Sequence, residues 1–239
     1  MQEQVLLVQN VCKSFGKKQA LCDVSFSAEK GSFTVIAGPN GSGKSVLMSL
    51  IAGLDEVDSG KITAKEVGLV FQDADAQILG ETPLEDVAFG LRNLGLSKKE
   101  RQIEAEKVLN TMQLLEKKDL PARSLSGGEK RRLAVAGILA LKRDFLIFDE
   151  PFANLDFPGI FQVCNILKKL KSEGKTIIVL THELEKILAL ADNFLILSEG
   201  KIVFDGTVND GLEQNLEKFG IQNPLRKYTK IQDLFWGTL

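Results

Sequence analysis

The sequence contains no apolar run close to the ~18 to 20 residues that cross a membrane. Its first residues, Met1-Gln2-Glu3-Gln4, do not form a signal peptide. We therefore expect a cytoplasmic chain that contacts a membrane only through a partner. The net charge of −2 likewise gives no electrostatic reason to expect binding to nucleic acid.

Cysteine is also scarce. Cys12, Cys22 and Cys164 have neither metal-binding nor C-x-x-C spacing, so we expect three buried thiols in a reducing compartment. The chain nevertheless has enough apolar residues to form a core. Its 239 residues are 44% hydrophobic, which suits one large domain or two closely coupled lobes.

A glycine-rich stretch from Gly38 to Ser45 reads GPNGSGKS and fits the pattern G-x-x-x-x-G-K-[ST]. The run Phe33 to Ala37 before it is strand-like, and Val46 to Ala52 after it is helix-like. A strand that enters such a loop and leaves as a helix places backbone N–H groups and a positive helix terminus around one point. The sequence therefore predicts a loop that binds a polyphosphate. A chance glycine-rich turn would lack the flanking strand and helix.

Several side chains in and near this loop are suited to binding a polyphosphate and a metal ion. Lys44 is expected to reach the β- and γ-phosphates, and Ser45 to ligate a magnesium ion that bridges them. Asp149 and Glu150 follow the buried strand predicted over Phe145 to Phe148. One carboxylate can hold the metal while the other acts as a general base. An Asp-Glu pair alone would favour a solvated acidic loop, but the phosphate loop favours the catalytic interpretation.

His182 is the only histidine and follows another buried strand, predicted over Thr176 to Leu180. A lone histidine is usually structural. This one lies at the same end of a parallel strand as Asp149 and Glu150, where open α/β sheets place their ligand sites. We therefore include it among the candidate site residues.

The N-terminal region is predicted to contain two strands, Val5 to Val8 and Leu21 to Ala28, on either side of the stretch Asn10 to Gln19, in which Lys13 to Lys18 form a loop. Phe15 in this loop can stack on a purine ring or pack into the protein's own core, and the sequence leaves both possibilities open. Further strands are predicted over residues 61–63 and 67–71, and a late hairpin over residues 194–204 is followed by a helical tail.

The hydrophobic period changes after residue 80. Thr82-Pro83-Leu84-Glu85 has an N-cap, a proline at the first helical position and a glutamate placed to close a capping box. Ser97 and Glu100 form a second capping box, and LSGGE at residues 125–129 opens another helix. We therefore expect an all-helical lobe over residues 82–144, inserted into a strand-rich domain.

The order of these motifs resembles that of the ATPase subunits of ATP-binding cassette (ABC) transporters. The resemblance covers about Val5 to Asp205. It is highly specific, because LSGGE stands between GPNGSGKS and FLIFDEP, the two sequences that resemble the Walker A and Walker B motifs. The matching elements are GPNGSGKS, Gln72, LSGGE, FLIFDEP, Asn154-Leu155-Asp156 and Thr181-His182.

The resemblance implies an α/β fold, a P-loop NTPase of the ABC-ATPase type. Such a fold has a RecA-like mixed sheet core, an N-terminal antiparallel β region and an inserted α-helical lobe. Residues 1–81 and 145–239 would form the ATP-binding catalytic lobe with the C-terminal tail. Residues 82–144 would form the helical lobe that carries the signature LSGGE.

The resemblance also implies ATP and Mg²⁺ as ligands and a role for each matching residue. Glu150 resembles the catalytic base, His182 the switch histidine and Gln72 the Q-loop glutamine. Ser45, Gln72 and Asp149 would bind the metal. The residues that resemble the family's nucleotide-binding positions are Phe15, Gly38, Pro39, Asn40, Gly41, Ser42, Gly43, Lys44, Ser45, Val46, Ser126, Gly127, Gly128 and Asp156.

In such a fold the signature, Ser126 to Gly128, lies too far from its own phosphate loop and contacts the ATP of the opposite subunit. The resemblance therefore implies that two subunits pair head to tail around two ATP molecules. The segment around Asp156, which resembles the family's D-loop, departs from the usual pattern at Asn154, where glycine is common, and at Phe157, where proline is common. Neither change removes a catalytic group.

The segment after Gln72 indicates which group of ABC transporter ATPases the chain resembles most. Residues 71–78, 80–82, 85–90 and 134–140 are similar to the ATPase subunits of energy-coupling factor transporters, which import vitamins and cobalt or nickel. These systems combine two ATPases, identical or different, with a transmembrane coupling protein and a small membrane substrate-binding protein. The resemblance implies a peripheral ATPase on the cytoplasmic face of the membrane. The C-terminus is shorter than is usual for that group, so the resemblance leaves open whether there is a dimerising tail.

The segment after Gln72, where the strand-rich domain is expected to meet the helical lobe, also suggests how a membrane partner could bind. Ala76, Ile78, Leu79 and Leu84 predict an apolar, partly exposed surface that receives a short helix from a transmembrane protein. The alternative is that these residues fill the helical lobe.

Other classes of ATPase fit less well. A chromosome-maintenance ATPase needs a long coiled coil between Gln72 and Ser126, and a translation-factor ATPase normally has two cassettes and a basic linker. The ATPase of a conventional ABC transporter for another substrate remains an alternative. The transported molecule and the identity of the second ATPase are not specified by this sequence.

Overall fold

The computed structural model describes residues 3–227 and 229–231. These residues form two β-sheets and the helices around them. The strands are β1 (Gln4–Phe15), β2 (Lys18–Glu29), β3 (Phe33–Ala37), β4 (Ser59–Ala64), β5 (Val67–Val70), β6 (Phe145–Asp149), β7 (Thr176–Thr181), β8 (Asn193–Ser198) and β9 (Lys201–Gly206). The helices are α1 (Lys44–Ile51), α2 (Ala74–Gln77), α3 (Pro83–Leu91), α4 (Lys98–Thr111), α5 (Gly127–Ala140), α6 (Phe157–Ser172) and α7 (Val208–Leu212).

The smaller sheet is antiparallel, with the strand order β2-β1-β4. The predicted loop from Lys13 to Lys18 is too long, because β1 continues to Phe15 and β2 begins at Lys18, which leaves a turn of Gly16 and Lys17. The two strands cross the polar stretch with shifts in register. Asn10 and Asp23 have positive φ angles of 49° and 55° at these irregularities, a conformation that Asn and Asp tolerate better than most residues.

The larger sheet has the order β5-β6-β7-β3-β8-β9, and only its edge strand β9 is antiparallel to its neighbour. Ala37 at the end of β3 lies opposite Thr181 at the end of β7. Asp149 at the end of β6 lies opposite Leu180 of β7. The carboxyl ends of β3, β6 and β7 therefore meet at one edge of the sheet. The phosphate loop follows the first of these strands.

Neighbouring residues of the central strands contribute to two different hydrophobic cores. In β7, Ile177 and Val179 belong to the core that includes the helical segment. Ile178 and Leu180 belong to the core between the two sheets and α1. The strand is thus buried on both faces, which its continuous apolar run predicted.

The segment predicted to be helical contains α3, α4 and α5. Ser97 and Ser126 close capping boxes with Glu100 and Glu129, respectively. The segment also shares a core with the large sheet. This core includes Val87, Leu109, Leu133, Phe33 and Phe148.

The start of α3 differs in part from the prediction. Thr82 Oγ1 accepts a hydrogen bond from the Glu85 N–H at 3.2 Å, which is one half of the expected capping box. The carboxylate that accepts backbone N–H groups at this point is that of Asp86. It binds Leu79 N at 2.7 Å and Gly80 N at 3.0 Å, so it fixes the turn before the helix.

The cysteines are free, as their spacing predicted, but the prediction that they are buried is wrong. Cys12 and Cys22 lie on β1 and β2 at positions that alternate with buried residues, so each is partly exposed. Cys164 is partly exposed on α6.

The predicted late hairpin is formed by β8 and β9. The helical tail is α7 and a short 3₁₀ turn at Leu216–Phe219. Among residues 3–227 and 229–231, none of the helices has the length and apolar character that a membrane span requires.

Candidate active site

The phosphate loop leaves little room for side chains. Gly41 and Gly43 have φ angles of 82° and 109°, which are accessible to glycine at little cost. A Cβ atom on Gly43 would lie 2.7 Å from Ala20 O, and one on Gly38 would lie 2.4 Å from Leu197 O. The glycines therefore allow the loop to pack against both sheets while it wraps around the start of α1.

Lys44 lies inside this loop and is only 5% exposed. Its ammonium group donates hydrogen bonds to Gly38 O at 2.6 Å and to Pro39 O at 3.2 Å. The same nitrogen is 3.2 Å from Glu150 Oε1. The loop thus holds a buried positive charge at the end of β3.

Ser45 and Asp149 meet beside this charge. Ser45 Oγ donates to Asp149 Oδ2 at 2.8 Å. Asp149 Oδ1 is buried and has no hydrogen-bond partner among the described residues. Burial raises the pKa of Asp149 above its ordinary value, and the hydrogen bond from Ser45 opposes this effect. A carboxylate with an unused buried oxygen next to a hydroxyl is an oxygen donor set that fits Mg²⁺.

Glu150 is held from three sides. Thr181 Oγ1 donates to its Oε2 at 3.0 Å, and His182 Nδ1 lies 3.0 Å from its Oε1. Lys44 is the third partner. The residue has a positive φ of 43°, and its own N–H donates to Leu180 O at 2.8 Å. A buried carboxylate held in an uncommon backbone conformation is typical of a functional site.

Thr181 contacts Glu150, although the sequence assigned it no role of its own. Its hydroxyl donates to Glu150 and accepts a hydrogen bond from the Glu183 N–H at 3.1 Å. The available signal was its position, because a hydroxyl at the carboxyl end of a buried strand points into the edge where the carboxylates were expected.

We expect Thr181→Val to lower the free energy of unfolding by about 1 to 3 kcal/mol, since it leaves the Glu150 carboxylate and the Glu183 N–H each short of a partner. Thr181→Ser keeps both bonds and is the matched control. Denaturant unfolding of the two variants measures the difference. Equal stability of the valine variant and the wild type would contradict the assigned hydrogen bonds.

A cavity of about 480 Å³ opens over the phosphate loop, and we call it the phosphate-loop cavity. Its volume lies in the range of small-molecule sites. Phe15 is 52% exposed and lines the cavity, with Lys13 Nζ 5.2 Å from its ring centroid. This is consistent with the stacking interpretation of Phe15. The lining residues are Phe15, Lys18, Gln19, Ala20, Asn40, Gly41, Gly43, Lys44, Ser45, Val46, Gln72, Glu150, Glu199 and Gly200.

Some of these lining residues were not predicted, because they come from distant parts of the chain. Residues 18–20 belong to β2, and residues 199–200 form the turn between β8 and β9. Gly200 N donates to Ser42 O at 3.0 Å, and Cys22 N donates to Gly200 O at 2.8 Å. These bonds fasten the turn to the phosphate loop and to the small sheet.

The other predicted site residues lie in the loop itself or outside the cavity. Gly38, Pro39 and Ser42 belong to the loop without lining the cavity. Ser126 caps α5 through Glu129 N at 3.4 Å, and Asp156 caps α6 through Gly159 N at 2.9 Å.

Gly127 lines a second cleft, of about 290 Å³, together with Gln72 and Asn154. Among the described residues, the signature and Asp156 therefore contribute nothing to the lining of the phosphate-loop cavity. Gln72 lines both spaces. Asn154 has a φ of 59°, which explains why glycine also suits this position.

Known proteins resemble this chain over most of its length. Residues 21–153 match the family described as ABC transporter. The energy-coupling factor transporter ATP-binding protein EcfA of Carboxydothermus hydrogenoformans is 39% identical, with 92% of this chain and 87% of that protein covered. The cobalt import ATP-binding protein CbiO of Rhodobacter capsulatus is 36% identical, with 88% and 81% covered.

A similar solved structure is that of cbiO1 from Clostridium perfringens, described as part of the ABC transporter complex cbiONQ. It superposes with a TM-score of 0.80 at 29% identity and covers 89% of this chain and 92% of its own. The fold class expected from the sequence is thereby confirmed.

Proposed function

Because this chain belongs to the ABC transporter family and is an ATP-binding subunit that hydrolyses ATP to drive transport, we propose that it powers an energy-coupling factor type importer. Its cargo in this proposal is a vitamin or a transition-metal ion. The observation that carries the proposal is the similarity to EcfA over 92% of the chain. The similarity to a cobalt import subunit supports the same class.

The proposed chemistry follows from the geometry of the site. Lys44 and the loop N–H groups bind the phosphates of ATP, and Phe15 stacks on the adenine. Ser45, Asp149 and Gln72 would hold Mg²⁺, which would neutralise negative charge on the phosphate oxygens.

Glu150 and His182 complete the proposed site. Glu150 takes a proton from the attacking water, because its carboxylate lies beside Lys44 and is fixed by Thr181. His182 is about half exposed beside Glu150. We propose that it contacts the γ-phosphate as the site closes.

We further propose that the active unit is a pair of cassettes, identical or different, arranged head to tail. The support is that Ser126 and Gly127 are exposed on the helical segment, away from the phosphate-loop cavity of their own chain. In the pair, Ser126, Gly127 and Gly128 complete the ATP site of the partner, and Asp156 lies at the interface. ATP then closes the pair, and hydrolysis releases it.

The pair is proposed to lie at the cytoplasmic face of the membrane, bound to a transmembrane coupling protein and a small substrate-binding membrane protein. The docking surface that we propose differs in part from the one expected from the sequence. Ile78 and Leu84 are partly buried against the core. Leu79 is 69% exposed and Phe89 is 47% exposed. The N–H of Leu79 donates to the Asp86 carboxylate, and Phe89 follows Asp86 on the same helix, α3. These two exposed side chains are the better candidates for contact with a membrane partner.

We expect Leu79→Asp to abolish co-purification with the membrane partners and to leave the ATPase activity of the isolated subunit unchanged. A charge at this exposed position disrupts an apolar contact without entering the core. The measurement is recovery of the complex from native membranes, alongside ATP turnover. The matched control is Leu54→Asp, because Leu54 is 61% exposed elsewhere on the surface.

Wild-type recovery of the complex with Leu79→Asp would contradict docking at this surface. The composition of the recovered complex tests the transporter class. A small membrane-embedded substrate-binding protein in the complex supports the energy-coupling factor type, whereas its absence from an intact complex favours a conventional ABC transporter.

A further inference from the structure

A buried arginine connects the signature helix, α5, to the segment that carries Gln72. Arg131 is only 3% exposed. Its Nη1 donates to Phe71 O, and its Nη2 donates to Gln72 O. The guanidinium group therefore spans two consecutive carbonyl groups at the end of β5, where the chain leaves the sheet.

The cost of this burial is not fully offset. Arg131 Nε is buried and has no hydrogen-bond partner among the described residues. Desolvation lowers the pKa of Arg131, whereas the carboxylates of Asp73 and Asp149 raise it. Asp149 is the proposed metal ligand, so this charge lies within electrostatic reach of both the metal site and the segment after Gln72.

Two neighbouring contacts join the same pair of segments. Lys130 Nζ pairs with Asp75 at 2.5 Å. Gln77 Nε2 donates to Leu69 O at 3.1 Å and to Ala134 O at 3.3 Å. The first two turns of α5 are therefore bound to residues 69–77 through side chains at three points.

From this geometry we propose that Arg131 is a positioning residue that fixes Gln72 and makes residues 71–77 move together with the signature helix. The proposal rests on the proposed function, in which Gln72 responds to bound Mg²⁺ and ATP. It adds to that function a physical connection between two parts of one chain. Through Arg131, the presence or absence of ATP at the phosphate loop would set the position of Ser126 to Gly128, which contact the ATP of the partner cassette.

The chemistry of the link requires arginine. A planar guanidinium has donors in a fixed fork and can bind two carbonyl groups at once. Lysine keeps the charge but presents a compact ammonium on a flexible stem. Methionine preserves much of the apolar stem and removes every donor. The series Arg131→Lys and Arg131→Met therefore separates charge from two-point attachment.

The test measures amide hydrogen exchange of the full chain with and without Mg-ATP, in a Glu150→Gln background that retains the nucleotide. In the parent protein, Mg-ATP should slow exchange at residues 38–46, 71–77 and 126–134. In Arg131→Met it should slow exchange at 38–46 and lose its effect at 126–134. Arg132→Met is the control, because Arg132 lies on the same helix but binds Met112 O and Gln162.

A kinetic measurement accompanies the exchange data. With the native Glu150, Arg131→Met should lower kcat roughly tenfold to a hundredfold, the range for a misplaced site, with KM for ATP almost unchanged. If Arg131→Met does not fold, Arg131→Lys is decisive, and it should also weaken the response at 126–134.

The outcomes separate the two proposals. If folded Arg131→Met keeps the full slowing of exchange by Mg-ATP at residues 126–134, the role of Arg131 is overturned and the proposed function is not. Arg131→Lys takes its place if Arg131→Met does not fold. An unmodified protein in which Mg-ATP changes nothing at 38–46 overturns the proposed function, and the inference with it.

Discussion

Replacing Glu150 by glutamine should lower ATP turnover roughly 10²- to 10⁴-fold, the range for loss of a positioned general base. Glutamine has the same shape and can still bind Thr181 and His182, but it cannot accept the proton of the attacking water. Binding of ATP should persist, because the phosphate loop is untouched. Phosphate release measures turnover, and a fluorescent nucleotide measures affinity.

Two variants serve as controls for this result. Lys44→Ala removes the buried charge of the loop and should weaken nucleotide binding itself. Glu185→Gln makes the same chemical change at an exposed position nearby and should leave turnover unchanged. If Glu150→Gln hydrolyses ATP at the wild-type rate, another group accepts the proton.

Mixing two inactive variants should restore activity. A subunit with Ser126→Arg has an intact phosphate loop but a blocked signature, whereas one with Lys44→Ala has the reverse. At an equal ratio about half of randomly paired dimers are mixed, and each contains one intact site, so about a quarter of wild-type activity should return. Because Ser126 is exposed, the arginine fits the fold, at the cost of a helix cap of about 0.5 to 2 kcal/mol.

The matched control mixes Lys44→Ala with Glu150→Gln. Both changes then lie on the phosphate-loop side of their sites, so no dimer contains an intact site and no activity should return. Cross-linking must show that mixed dimers form in both experiments. With mixed dimers present, no recovery in the first mixture would mean that each chain completes its own site.

The positions of the candidate site residues in the fold could be predicted where they belong to short continuous motifs. The phosphate loop lies between a buried strand and a helix, and the strand ends at Asp149 and Thr181 reach the same edge of the sheet. Parallel strands with both faces buried read as unbroken apolar runs. Their carboxyl ends could therefore be located from the sequence pattern.

The sequence was less informative where structure depends on distant partners. The stretch from Lys13 to Lys18 is predicted to be a loop, yet only Gly16 and Lys17 lie outside the two strands. Lys13 is buried there because its ammonium group binds Asp55 at 2.8 Å and Glu56 O at 2.6 Å. No local pattern encodes such a pairing, since the two segments approach only after folding.

The same limit applies to the polar residues that support the site. The Asp86 carboxylate, rather than that of Glu85, accepts the backbone N–H groups before α3. Arg131 donates to the carbonyl groups of Phe71 and Gln72, which are distant in sequence. Thr181 was visible as a hydroxyl at a strand end, but its partner depends on the positive φ of Glu150. Side-chain to backbone bonds of this kind depend on tertiary geometry rather than on residue type.

The turn at residues 199–200 has a consequence for the order in which the protein becomes functional during synthesis. One wall of the phosphate-loop cavity is supplied near residue 20 and another by this turn, and Gly200 binds both Ser42 and Cys22. A nascent chain that has not yet emerged beyond residue 200 lacks the second wall, although its phosphate loop is already present. Ribosome-bound intermediates thus carry the motif without the finished binding site, and ATP can stabilise the fold by mass action only late in translation.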